Sequence, residues 1–116
     1  MAADIPPQVQ NQLMQLQQLR DQTQAVAVQR SQLEAAAREL ESTLGALSST
    51  PADAAIYRAS GSLLVEVKDR DVLKKGLEDE KETMEVRLQS AKKNEARLRE
   101  RMTALQQELQ AVLGGR

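Results

Sequence analysis

The chain lacks several residue types on which most globular proteins and enzymes depend. Among its 116 residues there is no Cys, His, Trp or Phe, and Tyr57 is the only aromatic residue. A globular core is difficult to fill without these large side chains. The missing Cys and His exclude thiolate or imidazole metal sites and Cys–His nucleophilic pairs. They also leave no disulfide, which fits a reducing compartment. We therefore expect no enzyme, catalytic residue, metal site or bound cofactor.

Charge and hydropathy also argue against two classes of partner, nucleic acid and membrane. The net charge is −1, so no overall field favours nucleic acid or an anionic membrane. No apolar run approaches the roughly 20 residues that cross a bilayer, and the first residues do not resemble a signal peptide. A basic stretch contains Lys92, Lys93, Arg97, Arg99 and Arg101, with Glu95 and Glu100 between them. Because no aromatic residue is interleaved, we interpret this stretch as a solvated face, with nucleic-acid binding as the weaker alternative.

The first half of the chain has the pattern of a long coiled-coil helix. Pro7 suits a helix start, and no Pro or Gly follows it before Gly45. One heptad series is Leu19, Val26, Leu33, Leu40 and Leu47, and its companion is Val9, Leu16, Thr23, Arg30, Ala37 and Leu44. These a and d positions predict a helix over about 7–48, which Ser48-Ser49-Thr50-Pro51 ends.

The last third of the chain repeats this pattern. Its heptad series are Leu77, Met84, Ala91, Leu98, Leu105 and Val112, with Lys74, Lys81, Leu88, Glu95, Met102 and Leu109. They predict a helix over about 70–113, with Asp69 or Asp71 as N-cap and Gly114-Gly115 as its end. Gly76 lies inside this helix, and close packing is one option that would explain it.

Between the helices lies the one concentration of β-forming residues. These are Ile56, Tyr57, Leu63, Leu64, Val65 and Val67. They predict a hairpin over about 54–68 with Ser60-Gly61 as a two-residue turn, although a longer loop is the alternative because Ser-Gly is a weaker turn than Asn-Gly. The two-residue turn would place Arg58 opposite Leu63 and Ile56 opposite Val65 on one face, with Val67, and Tyr57 opposite Leu64 on the other. A lone hairpin with two open edges is marginal in water, so we expect it to pair with hairpins of other chains.

Folding back at this turn makes the two halves complementary. Val9 then meets Val112, Leu16 meets Leu105, and each pair joins an a position to a d position. The same register brings Arg30 close to Glu95, where an ion pair would set the register of the helices. We therefore expect an antiparallel helical hairpin with both chain ends at one tip.

The chain resembles the prefoldin family, and specifically its beta class. The stretches that carry the resemblance are Ile5-Pro6-Pro7-Gln8-Val9-Gln10, Ala54-Ala55-Ile56-Tyr57-Arg58, Gly61-Ser62-Leu63-Leu64-Val65 and Glu85-Val86-Arg87-Leu88. The resemblance is to archaeal beta subunits, to which eukaryotic prefoldin subunit six is related. The resemblance implies one domain over residues 1–116 with a mainly α fold. A long antiparallel two-helix coiled coil is joined by a single central β-hairpin, which assembles into an intersubunit β-barrel.

The resemblance also implies a function. Prefoldin is a hexamer of two alpha and four beta subunits that acts as a molecular chaperone in the cytoplasm. It holds unfolded proteins between its tips and passes them to a group II chaperonin without ATP. A structural coiled-coil module that tethers partners, with no preference for unfolded protein, is the alternative function.

The tip contains more apolar residues than the helix pairing needs. Candidate client-binding residues are Ile5, Val9, Leu13, Met14, Leu16, Leu105, Leu109, Val112 and Leu113. The a and d positions use Val9, Leu16, Leu105, Leu109 and Val112. The helix pairing does not use Ile5, Leu13, Met14 and Leu113. A protein that binds many different clients needs aliphatic side chains of this kind that are free to contact them. The alternative is that all of them simply close the coiled coil.

Overall fold

The computed structural model describes residues 5–114 as two long helices joined by a β-hairpin. In chain order the elements are α1 (Pro7–Ser49), β1 (Tyr57–Ser60), β2 (Leu63–Glu66) and α2 (Arg70–Gly114). The predicted fold of the single chain, two long helices joined by one β-hairpin, is confirmed, and each helix ends one residue later than predicted. Gly115, which was expected to help end α2, lies outside the described residues. The chain forms two compact units: residues 5–31 with 89–114 in one, and Gln32–Leu88 in the other.

The first unit is held together by a cluster of aliphatic side chains from both helices. Its buried members are Val9, Leu16, Leu19, Leu98, Leu105 and Leu109. They come from the predicted heptad series, so the a and d positions do form the buried side of each helix. Thr23 is also buried in this unit, and its hydroxyl donates a 2.6 Å hydrogen bond to the Leu19 carbonyl. A polar residue is therefore accommodated without an unpaired donor.

In the second unit, Asp69 caps the start of α2. Its carboxylate accepts hydrogen bonds from the backbone N–H groups of Asp71 and Val72, at 3.1 and 3.2 Å. These are donors that the first turn of a helix leaves without intrahelical partners. Of the two residues that the sequence offered as N-cap, Asp69 has this role. Asp71 lies in the first turn, where its negative charge complements the helix dipole.

Arg70 connects the start of α2 to the end of α1. Its guanidinium donates to the carbonyl oxygens of Leu47, Thr50 and Pro51, the last at 2.9 Å. The last carbonyls of a helix have no intrahelical N–H donor, and Arg70 donates to one of them, that of Leu47. Its other two acceptors, Thr50 and Pro51, lie in the segment that follows α1. Since this contact spans about twenty residues of sequence, heptad and turn patterns contain no signal for it. Arg70 thereby fixes the two ends of the connection that carries the hairpin.

We expect Arg70→Met to lower the free energy of unfolding by about 2 kcal/mol, because hydrogen bonds from a charged, half-buried group are lost. Urea unfolding followed by helical circular dichroism, at one fixed chain concentration, measures this change. Arg87→Met is the control, since Arg87 is exposed, and it should change the value by less than about 0.5 kcal/mol. Equal effects of the two substitutions would show that the Arg70 contacts contribute nothing.

Gly76 is not explained by close packing within the chain. A Cβ atom built at this position would meet no other atom within 4 Å, apart from the backbone of its own helix turn. The close-packing explanation that the sequence suggested is therefore wrong for the described residues. Glycine at this position still costs the helix up to about 1 kcal/mol relative to alanine.

Candidate functional sites

The hairpin pairs in a different register from the one predicted. The antiparallel partners are Tyr57 with Glu66, Arg58 with Val65, Ala59 with Leu64, and Ser60 with Leu63. The two turn residues are thus Gly61 and Ser62, and the predicted Ser60-Gly61 turn is wrong. Gly61 has a φ of +60°, and no other described residue has a positive φ. A positive φ at the first central position alone is the pattern of a type II′ turn, which favours glycine there and matches the twist of the strands.

The change of register leaves the two faces of the hairpin as predicted. Side chains alternate along a strand, so a shift of two residues keeps every side chain on its face. Arg58 and Val65 lie on one face together with Ile56 and Val67, whose backbones are joined by a 2.8 Å hydrogen bond. The opposite face carries Tyr57 and its neighbours Ala59, Leu64 and Glu66.

Both strands of the hairpin expose large apolar side chains. Every strand residue is exposed, and Leu64 and Leu63 keep 74% and 67% of their surfaces. Tyr57 and Val65 are more than half exposed, whereas Ile56 and Val67 are partly buried. Within the described chain the sheet has only these two strands, so both outer edges are unpaired. Such a surface is suited to pairing with strands of other chains.

At the helix ends, the structure divides the candidate client-binding residues into two groups. Val9, Leu16, Leu105 and Leu109 are buried in the aliphatic cluster of the first unit. The exposed group consists of Ile5, Leu13, Met14, Val112 and Leu113, and we call it the tip surface. Val112, which was predicted to meet Val9 in the helix pairing, is 45% exposed. It lies in the last turn of α2, beyond Leu109, the last buried residue of that helix.

A groove opens beside the tip surface in the same unit. Its volume is about 660 Å³, and its lining residues are Leu16, Leu109, Leu113 and Gly114, with Arg20, Gln106 and Gln110. We call it the tip groove. The leucines give it an apolar floor, and the glutamine amides can both donate and accept hydrogen bonds. Heptad reasoning missed this groove because the glutamines and Arg20 occupy positions outside the a and d series.

The predicted contact between Arg30 and Glu95 is present in the first unit. Arg30 Nε lies 2.6 Å from Glu95 Oε1, and Arg99 Nη2 lies 3.1 Å from the other carboxylate oxygen. The Glu95 side chain is only 10% exposed. Hydrogen bonds from Arg30, and then from Arg99, hold the pKa of Glu95 below its ordinary value of 4.5. The sequence predicted the first partner and missed the second.

This lowered pKa makes part of the stability dependent on pH. The unfolded chain binds the Glu95 proton first as the pH falls, so the stabilisation is complete above about pH 4.5. This stabilisation is lost as the pH falls through the lowered pKa that Glu95 has in the folded chain.

We expect Glu95→Gln to melt at a lower temperature than the wild type at neutral pH, with a difference that shrinks in acid. Thermal melts between pH 7 and pH 2 measure this, with Glu100→Gln, an exposed neighbour on α2, as control. A constant difference across that range would contradict the linkage.

Two other kinds of functional feature, a metal site and a membrane-spanning helix, are absent from the described residues. Within residues 5–114, no three acidic side chains are grouped so that they could hold a metal ion. Neither helix has, in its described part, a stretch long and apolar enough to cross a membrane.

Comparison with known proteins identifies the family to which this chain is similar. The family model described as "Prefoldin subunit" matches residues 10–116. Prefoldin subunit beta of Archaeoglobus fulgidus is 44% identical over 110 residues, covering 95% of this chain and 94% of that protein. The corresponding subunit of Methanococcoides burtonii is 43% identical and covers 98% and 97%. The crystal structure of the prefoldin beta subunit from Thermococcus strain KS-1 superposes with a TM-score of 0.85 at 34% identity. It covers 95% of this chain and 96% of that one.

Proposed function

This chain belongs to the prefoldin family of chaperone subunits, and we propose that it holds non-native polypeptides at its tip surface as a beta-type subunit. Prefoldin subunits form hetero-oligomers with one another. The finer proposal is a hexamer of two alpha and four beta subunits. It would act in the cytoplasm without ATP and transfer its clients to a group II chaperonin.

The observation that carries this proposal is the excess of exposed aliphatic side chains at the helix ends. Met14 and Leu113 keep 65% and 63% of their surfaces, although a buried cluster already holds the two helices together in that unit. A non-native polypeptide differs from a folded one mainly by its exposed apolar surface, which such side chains can cover. Methionine is flexible and polarizable, so Met14 can adapt to clients of different shape.

The hairpin supports the assembly half of the proposal. Its exposed leucines, Val65 and Tyr57, together with two unpaired strand edges, suit a β-barrel built from the hairpins of several subunits. Assembly would place several tip surfaces around one client, so that weak individual contacts act together.

The test uses this chain assembled with a prefoldin alpha subunit. Light scattering follows the aggregation of a chemically unfolded client protein diluted into buffer without ATP. We expect the assembly to suppress scattering at stoichiometric amounts and to ignore the same client in its folded form. Equal binding of folded and unfolded client would favour the alternative, a tethering module. Unchanged scattering would contradict the chaperone proposal.

A further inference from the structure

Two grooves in the first unit each have a single charged lining residue, and in both it is an arginine. Arg20 is the only charged residue among those that line the tip groove. A second, smaller groove of about 270 Å³ lies in the same unit and is lined by Gln15, Gln18, Leu19, Gln22 and Arg101. Again the only charged residue is an arginine. Each groove thus combines leucine, glutamine and one cation.

The acidic residues of the same helix segments are placed elsewhere. Asp21 and Glu108 line neither groove, and the Asp21 carboxylate accepts a 3.1 Å hydrogen bond from the Gln17 side chain. Arg20 is exposed, and within residues 5–114 no carboxylate lies within ion-pair distance of it. No carboxylate of the described residues competes for its guanidinium, which can pair with an anionic group of a molecule bound in the tip groove.

We propose that the tip groove selects client segments in which an acidic residue stands next to aliphatic ones, and that Arg20 is the residue that determines this specificity. The inference rests on the proposed function and names the class of segment that the same site prefers. The exposed Leu113 contacts the aliphatic side chains of the segment, above the floor of the groove that the largely buried Leu16 and Leu109 form. The amides of Gln106 and Gln110 bond to its backbone, and Arg20 pairs with its carboxylate.

The expected selectivity is moderate, because Arg20 is exposed to solvent. Exposed ion pairs are weak, so a carboxylate should improve affinity about two- to fivefold at low salt. The preference should fade near 1 M salt, where the screening length falls to about 3 Å. The apolar contacts depend little on this screening, so salt separates the two contributions.

The test compares three fluorescein-labelled peptides with the same leucines and valines. Their polar positions carry Glu in one peptide, Gln in the second and Lys in the third. Fluorescence anisotropy measures their binding to the chain assembled with a prefoldin alpha subunit. We expect the Glu peptide to bind tightest and the Lys peptide weakest. Arg20→Gln should remove the difference, and Arg20→Glu should reverse the order. Arg87→Gln removes the same charge from an exposed position outside both grooves, and it should preserve the order.

Two results would overturn the proposal in distinguishable ways. If all three peptides bind equally at low salt, and Arg20→Glu leaves them equal, the selectivity is wrong while peptide binding still supports the chaperone function. If none binds and the assembly also fails to suppress aggregation, the proposed function itself is wrong.

Discussion

Replacing Met14 and Leu113 together by serine should remove most of the client binding of the assembled chaperone and leave its fold intact. Both side chains are mostly exposed, and neither belongs to the buried cluster of the first unit. Covering an apolar side chain of this size contributes about 1.5–3 kcal/mol when burial is complete. Even partial burial of two of them therefore corresponds to a loss of at least about tenfold in client affinity. Light scattering from an unfolding client measures the loss, and circular dichroism checks the helices.

The matched control for this variant uses exposed aliphatic residues outside the tip surface. Val28 and Val86 are 47% and 65% exposed, so Val28→Ser with Val86→Ser removes a comparable apolar area. We expect this control to suppress aggregation as well as the wild type does. If both double variants lose activity to the same degree, clients bind along the helices rather than at their ends.

The heptad pattern predicted the buried residues of the first unit well and the end of that unit less well. Positions such as Leu16, Leu98 and Leu105 are buried as predicted, because one helix face must cover the other wherever both are present. Val112 obeys the same periodicity and is nevertheless exposed. Periodicity indicates on which side of a helix a residue lies. It does not indicate where along the helix the contacts with the other helix end.

The hairpin shows the same division between what alternation predicts and what it leaves open. Alternation predicted the two faces correctly, since any even shift preserves them. Alternation does not determine the pairing register of the two strands, because the register depends on which position of the turn has a positive φ. Gly61 takes the positive φ as the first central residue of the turn, where the prediction had it second, so the turn begins one residue later than predicted. Arg70 is a further case, because its hydrogen bonds to Leu47 in the last turn of α1 and to the two residues after that helix depend on tertiary placement.

Negative charge on the hairpin should prevent assembly, and the double variant Leu63→Asp with Val65→Asp tests this directly. Both residues lie on the face shared with Ile56 and Val67, and both are exposed in the single chain. The substitutions should therefore be tolerated by the single chain. In an intersubunit barrel, the same carboxylates would be buried without partners, at a cost of several kcal/mol each. We expect association with a prefoldin alpha subunit to weaken more than about a hundredfold, roughly 3 kcal/mol.

Native mass spectrometry at fixed subunit concentration distinguishes this outcome from misfolding. The variant should appear as single chains with unchanged helical circular dichroism. Ser62→Asp is the control, because it adds a carboxylate at the turn, outside both strands, and should still assemble. Since the tip surface is untouched in the variant, its aggregation assay also shows how much holding depends on several tips acting on one client. A variant that assembles normally would mean that subunits join through another surface, and that the exposed apolar residues of the hairpin serve a different partner.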